Sequence, residues 1–152
     1  MNDRELVERQ LGRPPRAFRR VAVRCPFGVP AVTDQAPFDT SGTPFPTQFW
    51  LTCPHLVTAL ARVEAAGGVE RWTAAAETDT ELRSSLARAH AEQRALRLEL
   101  PGGIGGARRG GSLKCLHAHA AFALARPGYT LGDRILADAA PMWPREGCCT
   151  PL

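Results

Sequence analysis

Lysine is almost absent from this chain. Lys114 is the only lysine among 19 basic residues, and the remainder are arginine. The chain also lacks an apolar run that could cross a membrane, because its longest uncharged stretch, residues 40–61, is interrupted by Pro44, Pro46 and Pro54. The opening residues, MNDRELVERQLG, are charged and lack the apolar segment of a signal peptide. These absences predict a cytoplasmic protein without a membrane-spanning segment.

The net charge of +4 raises the question of nucleic-acid binding. Positive charge is concentrated in residues 1–24, which contain seven arginines and three acidic residues, and again in residues 101–120. Such segments can attract phosphate or RNA. The sequence has neither an RRM signature nor aromatic residues interleaved with the basic ones, and a GC-rich genome also yields Ala- and Arg-rich chains. Nucleic-acid binding is therefore not favoured, but an RNA- or protein-binding adaptor that uses the Trp50 region and the basic segments stays an alternative.

Five cysteines occur in a chain without a recognisable secretion signal. Thiols stay reduced in the cytoplasm, so these cysteines indicate metal binding or catalysis rather than a disulfide framework. The odd number agrees with that interpretation.

The sequence predicts one α+β domain over residues 1–152, which is an ordinary length for a single hydrophobic core. Three short β-rich runs, AFRRVAVRC, VPAVTDQ and TQFWLTC, predict a small antiparallel sheet of about three strands. Helical periodicity predicts four or five helices packed with it. Asp3 is the predicted cap of the first helix, which runs to Leu11. The second has Pro54 as its first residue, and a capping box of Thr78 and Glu81 opens the longest one. HAHAAFALA and TLGDRILADAA predict the last two.

A glycine-rich loop over residues 101–111 precedes the HAHAAFALA helix. Its backbone amides, together with Arg108, Arg109 and Lys114, predict a generic site for an anion. The loop fits no P-loop, because Gly111 stands where the lysine should be, and the chain contains no G-x-G-x-x-G pattern. A mobile surface loop is the simpler interpretation.

The stretch SLKCLHAH combines Cys115, His117 and His119 within a few residues. If the segment is helical, Cys115 and His119 share a face, whereas an extended start would point all three side chains to one side. Both arrangements supply one or two metal ligands.

A tetrahedral zinc site would need further soft ligands, and Cys25 and Cys53 are the natural candidates, each followed by proline at the end of a predicted strand. His55 is a spare ligand. Their spacing matches no zinc-finger pattern, and free cysteines are commonly small buried hydrophobic residues. Cys148 and Cys149 lie in a predicted irregular tail, residues 141–152, and are interpreted as incidental.

A nucleophilic Cys115 is the alternative to a metal. A thiol near a helix N-terminus, beside Lys114 and two arginines, should have a lowered pKa, and His117 could act as its base. The same segment therefore predicts either a metal ligand or a catalytic pair.

The chain resembles the domain of unknown function 501 family, a group of small, mainly actinobacterial proteins. The resemblance is carried by RQLGRPPR, RCPFGVPAV, GTPFPTQFWLTCPHL, RVEAAGGV and KCLHAHAAFALA, which follow one another in order through most of residues 10–125. It implies special importance for Cys25, Cys115 and His117, and it implies that position 53 accepts cysteine or histidine, an exchange that zinc tolerates. It implies no activity.

These observations together predict a small metal-binding protein with zinc held by Cys25, Cys53, Cys115 and His117. Four protein ligands would make a closed, structural site, in which zinc ties a late segment of the chain to the early sheet. The basic loop beside it would then contact an anionic ligand or a protein partner. Whether the protein is an enzyme stays open, since a hydrolase or transferase using Cys115 or an open metal site is the principal alternative.

Overall fold

A three-stranded antiparallel sheet and six α-helices form one α+β domain in the computed structural model, which describes residues 1–108 and 113–150. The elements in chain order are α1 (Asp3–Leu11), β1 (Phe18–Arg24), β2 (Pro30–Gln35), β3 (Phe49–Leu51), α2 (Pro54–Ala65), α3 (Gly68–Thr78), α4 (Thr80–Leu96), a 3-10 turn (Ile104–Gly106), α5 (Leu116–Ala125) and α6 (Thr130–Asp138). The predicted fold class is confirmed. No helix within the described ranges is long and apolar enough to cross a membrane.

The sheet has the order β1-β2-β3, with both pairings antiparallel. Every residue of the central strand β2 is buried, whereas β1 is exposed at Arg19, Arg20 and Arg24. Because β1 and β3 both run antiparallel to β2, they point the same way. The residues that follow them, including Cys25 and Cys53, therefore emerge at one end of the sheet.

Helix termini follow local sequence signals closely. Asn2, one residue before the predicted Asp3, caps α1: its side chain accepts the N–H of Glu5, and the Glu5 carboxylate accepts the N–H of Asn2. Pro54 is the first residue of α2, as predicted. Asp79 rather than Thr78 caps α4, where it accepts the N–H groups of the next turn.

The sequence did not predict α3. Gly67, with φ of 87°, reverses the chain between α2 and α3, and this left-handed conformation carries little cost in glycine. Two adjacent glycines are typical of a turn, whereas only Gly67 forms one here and Gly68 is already helical. The number of α-helices is therefore six in the described chain, not four or five.

Helix α5 lies at the centre of the core, packed against β3 and α6. Its residues Ala120, Ala121 and Phe122 are almost entirely removed from solvent. Gly132 of α6 permits this close packing, because a Cβ atom there would lie 2.6 Å from the Cβ of Ala123. The helix that follows the SLKC segment is thus tightly packed within the core.

Candidate metal centre and adjoining cavity

Cys115 lies at the turn that leads into α5. Lys114 adopts a left-handed backbone with φ of 66°, which is uncommon for a residue other than glycine, and Cys115 is extended as the N-cap residue of the helix. The N–H of Cys115 bonds to the carbonyl of Leu113 at 2.8 Å. This sharp turn places the exposed thiol beside the first turn of α5, where His117 lies.

Three potential ligand atoms converge at this point. The Sγ of Cys115 lies 3.8 Å from Nδ1 of His117, and the same Nδ1 lies 3.2 Å from Oε2 of Glu64. All three atoms lie within 4.8 Å of one another. Within the described part of the chain, this is the one group of three or more such residues with its ligand atoms so close together. We refer to Glu64, Cys115 and His117 as the Glu–Cys–His cluster.

Glu64 comes from the last turn of α2, and sequence reasoning did not single it out. Its Oε2 accepts the N–H of Leu116 at 2.7 Å, so the carboxylate satisfies an otherwise unpaired donor at the start of α5. Glu64 lies within RVEAAGGV, one of the motifs that carry the family resemblance. An acidic residue within it was the available signal.

The second nitrogen of His117 fixes the orientation of the ring. Nε2 lies 3.0 Å from the carbonyl oxygen of Val57, to which it donates. Histidines that ligate metals usually donate their other N–H to a carbonyl or carboxylate in this manner. Nδ1 is therefore the atom that points to Cys115 and Glu64.

The electrostatics of the pair favour charge separation. The hydrogen bond with Cys115 is the main cause that raises the pKa of His117 to about 9; the Val57 carbonyl and Glu64 add to it, while burial opposes it. For Cys115, burial raises the pKa, but the hydrogen bond with His117 and the Ala118 amide outweigh it and lower the pKa below the ordinary thiol value. The two shifts act in opposite directions, since the pKa of the thiol is lowered and that of the imidazole is raised.

A largely apolar cavity of about 530 Å³ adjoins the cluster. This volume lies within the range of small-molecule sites. Cys115 and His117 form part of its wall, as does Lys114. The apolar part of the wall includes Phe49, Trp50, Leu51, Val57, Ile104 and Leu113. A small molecule in this cavity would therefore lie against both the thiol and the imidazole.

The structure divides the predicted four-ligand set. Cys115 and His117 belong to the Glu–Cys–His cluster, whereas Cys25 and Cys53 do not and are buried at the end of the sheet. The two spare histidines also lie apart from it. His119 is buried, with Nδ1 2.7 Å from the Tyr129 hydroxyl, and His55 bonds to the carbonyl of Pro141.

Burial is the main cause that lowers the pKa of His119 to about 4, so this histidine is neutral in the folded chain. The segment SLKCLHAH is extended at Cys115 and helical from Leu116 onward. Cys115 therefore contacts His117, while His119 lies in the core. The i, i+4 pairing of Cys115 with His119 is not formed.

The predicted anion-binding residues are only partly described. Lys114 lines the cavity and Arg108 is exposed, while Arg109 lies outside the described residues. The glycine-rich loop, as far as residue 108, forms the 3-10 turn, and the N–H of Ile104 bonds to Nδ1 of His90. Three of the seven arginines in residues 1–24 pair with carboxylates: Arg16 with Asp39, Arg20 with Asp34, and Arg24 with Asp3.

Comparison with known proteins gives one match. Residues 21–102 match the family model described as Protein of unknown function (DUF501). No curated protein and no solved structure matches the chain. The matched segment includes Cys25, Cys53 and Glu64, and it ends before Cys115 and His117.

Proposed function

The chain belongs to the DUF501 family of proteins of unknown function, and we propose that it binds a divalent metal ion, zinc in particular, through Glu64, Cys115 and His117. The family description names no activity, so the proposal rests on the site alone. The observation that carries this proposal is the convergence of three ligand atoms within 4.8 Å beside a cavity. Cysteine sulfur, histidine nitrogen and glutamate oxygen are the ligand types that zinc takes in proteins.

Three protein ligands leave one position of a tetrahedral ion available. Structural zinc sites use four protein ligands, whereas catalytic sites use three and keep the fourth for water or substrate. Two of the three ligands line the apolar cavity, so the fourth position would face it. The site is therefore proposed as an open centre, rather than the closed one that the sequence predicted.

The chemistry of such a centre is that of a Lewis acid. A metal at this point would polarise a carbonyl or phosphoryl oxygen of a largely apolar small molecule. It could instead activate a bound water that attacks such a molecule. Lys114 in the same wall would favour a ligand that carries an anionic group. A reducing compartment such as the cytoplasm, expected from the sequence, would keep Cys115 reduced and available as a ligand.

Cobalt substitution tests both the metal and its open position. We expect the Co²⁺-loaded full chain to show a thiolate-to-cobalt charge-transfer band that azide or imidazole alters, because these small ligands can enter a vacant coordination position. C115S should lose this response. H55N is the matched control, since His55 lies outside the cluster, and it should behave as the wild type. The open centre would be excluded if neither azide nor imidazole changed the spectrum. It would also be excluded if the C115S variant gave the same spectrum as the wild type.

A nucleophilic Cys115 is the second candidate function, favoured by the 3.8 Å contact with His117 and the cavity beside it. In protein treated with a chelator, Cys115 should react with iodoacetamide at least about tenfold faster than in H117N, because the imidazolium stabilises the thiolate. Peptide mass spectrometry would measure the rate at Cys115 separately from the rate at the exposed Cys149. Equal rates in H117N and H55N would remove this candidate. The adaptor function stays a prediction without a structural observation in its favour.

A further inference from the structure

Two residues in the wall of the cavity carry buried polar atoms that lack a hydrogen-bond partner. Across the described residues, three buried side-chain atoms are without a partner: Oε1 of Gln10, Oε1 of Gln35 and Oγ1 of Thr52. Gln10 and Thr52 both line the cavity, and Thr52 is only 2% exposed. Buried polar groups in folded proteins are nearly always paired, so each exception needs an explanation. A molecule held in the cavity can supply the missing partner.

Neighbouring residues of β2 hold Gln10 and Thr52 at the same end of the sheet. The side-chain nitrogen of Gln10 donates to the carbonyl of Pro30 at 2.7 Å. The backbone N–H of Thr52 bonds to the carbonyl of Ala31 at 2.9 Å. The Glu–Cys–His cluster is held instead by α2, where His117 bonds to the carbonyl of Val57. The cavity therefore has a second polar region, distinct from the cluster.

The hydrogen-bonding capacity of the two unpaired atoms selects the chemical group that fits them. The amide oxygen of Gln10 only accepts, whereas the hydroxyl of Thr52 donates or accepts. A ligand hydroxyl can donate to the first and accept from the second, which a carbonyl group cannot do. A cationic amine would bury a charge without a carboxylate beside it, because no Asp or Glu is among the described residues that line the cavity.

The charge of the proposed metal centre indicates what the other end of the ligand carries. The carboxylate of Glu64 and the thiolate of Cys115 together balance the charge of a divalent ion, so the centre is neutral when His117 is neutral. A carboxylate at the open position adds a single negative charge, whereas a phosphate monoester adds about 1.5 to 2. Lys114 is the one lysine or arginine that lines the cavity within the described residues. The wall thus lacks the arginines that bind phosphate through two hydrogen bonds, and it suits a carboxylate better.

We propose that the cavity binds a mostly apolar hydroxy acid, whose carboxylate takes the open metal position and whose hydroxyl pairs with Gln10 and Thr52. The carboxylate end rests on the proposed function, whereas the hydroxyl end rests on the cavity wall alone. The body of the ligand contacts apolar side chains such as Phe49, Leu51 and Val57. The hydroxyl provides selectivity, because a plain fatty acid would leave both protein oxygens unpaired.

The hydroxyl end is tested by isothermal titration calorimetry of the zinc-loaded full chain with decanoate and with ω-hydroxydecanoate. We expect the hydroxy acid to bind about tenfold more tightly, a typical effect of pairing a buried polar group. T52V should lose most of this preference and should still fold, because the deleted hydroxyl has no partner. T58V is the matched control, since Thr58 lines the cavity but is exposed, and it should keep the preference. Equal affinities of the wild type for the two acids, or a preference that T52V keeps, would overturn the hydroxy-acid assignment.

The carboxylate end is tested with the methyl ester of ω-hydroxydecanoate, which keeps the hydroxyl and removes the charge. We expect removal of zinc by a chelator to weaken binding of the acid at least about tenfold and to leave binding of the ester unchanged. If cobalt spectroscopy shows the open centre but zinc removal weakens neither, the hydroxy-acid assignment fails while the proposed function stands. A chain that binds no cobalt would overturn the proposed function and the carboxylate end together. The comparison of T52V with T58V, repeated without zinc, would then decide the hydroxyl end separately.

Discussion

Replacing Glu64 by glutamine is expected to lower the affinity of the Glu–Cys–His cluster for zinc by at least about a hundred-fold. Residues that merely support a metal ligand already change affinity by about 10–100-fold, and Glu64 is proposed to be a ligand itself. The amide oxygen of glutamine can still accept the N–H of Leu116, which Glu64 Oε2 now does at 2.7 Å. The change therefore removes the charge without removing the cap of α5.

Competition with a chromophoric chelator would measure this affinity for zinc. The metal equivalent to compare is the one that the C115S variant also loses. Glu70→Gln is the matched control, because it makes the same chemical change at an exposed position of α3. We expect Glu70→Gln to bind zinc as the wild type does. Equal affinities in the two glutamine variants would remove Glu64 from the ligand set and leave only Cys115 and His117.

Replacing Phe122 by alanine is expected to destabilise the fold by about 3–5 kcal/mol, the cost typical of deleting a buried phenylalanine side chain. Phe122 is 1% exposed at the centre of α5. Its ring packs edge-to-face against Phe49 of β3, with centroids 5.9 Å apart, and against Tyr129, with centroids 5.8 Å apart. The substitution would therefore open a cavity among the sheet, α5 and the start of α6.

Urea denaturation followed by circular dichroism would give the free energy of unfolding. Phe38→Ala supplies the control, because Phe38 is 42% exposed, and we expect it to cost less than about 1 kcal/mol. A loss of similar size in both variants would contradict the central position of α5 in the core. That position matters for the site, since α5 carries His117 and begins next to Cys115.

Local sequence signals were sufficient for most of the secondary structure. The three strands follow β-branched and aromatic runs bounded by proline and glycine, and Pro54 marks the start of α2. The helix α3 was missed because Gly67 and Gly68 indicated a turn, whereas only Gly67 forms it. Whether one or both glycines form the turn depends on how α2 packs against α3. The local sequence carries no information about that packing.

Only two of the three residues in the Glu–Cys–His cluster were predictable from the sequence, because the third is distant in the chain. Cys115 and His117 are two positions apart, so a backbone argument could bring them together. Glu64 is 53 positions from His117 and meets it only because α2 packs against α5. The split of the cysteines likewise depends on tertiary structure, because Cys25 and Cys53 are buried at the end of the sheet and do not join Cys115 and His117.

The sequence by itself determined the α+β class, the three antiparallel strands and the resemblance to the family. It also singled out the segment with Cys115 and His117. Each of these depends on neighbouring residues or on ordered short motifs. Only the tertiary structure decided which distant side chains complete a site. Packing of helices on the sheet brings Glu64 to His117, draws His119 into the core and leaves a cavity beside Cys115. Convergence of this kind arises from many weak contacts over the whole chain, and no single stretch of sequence specifies it.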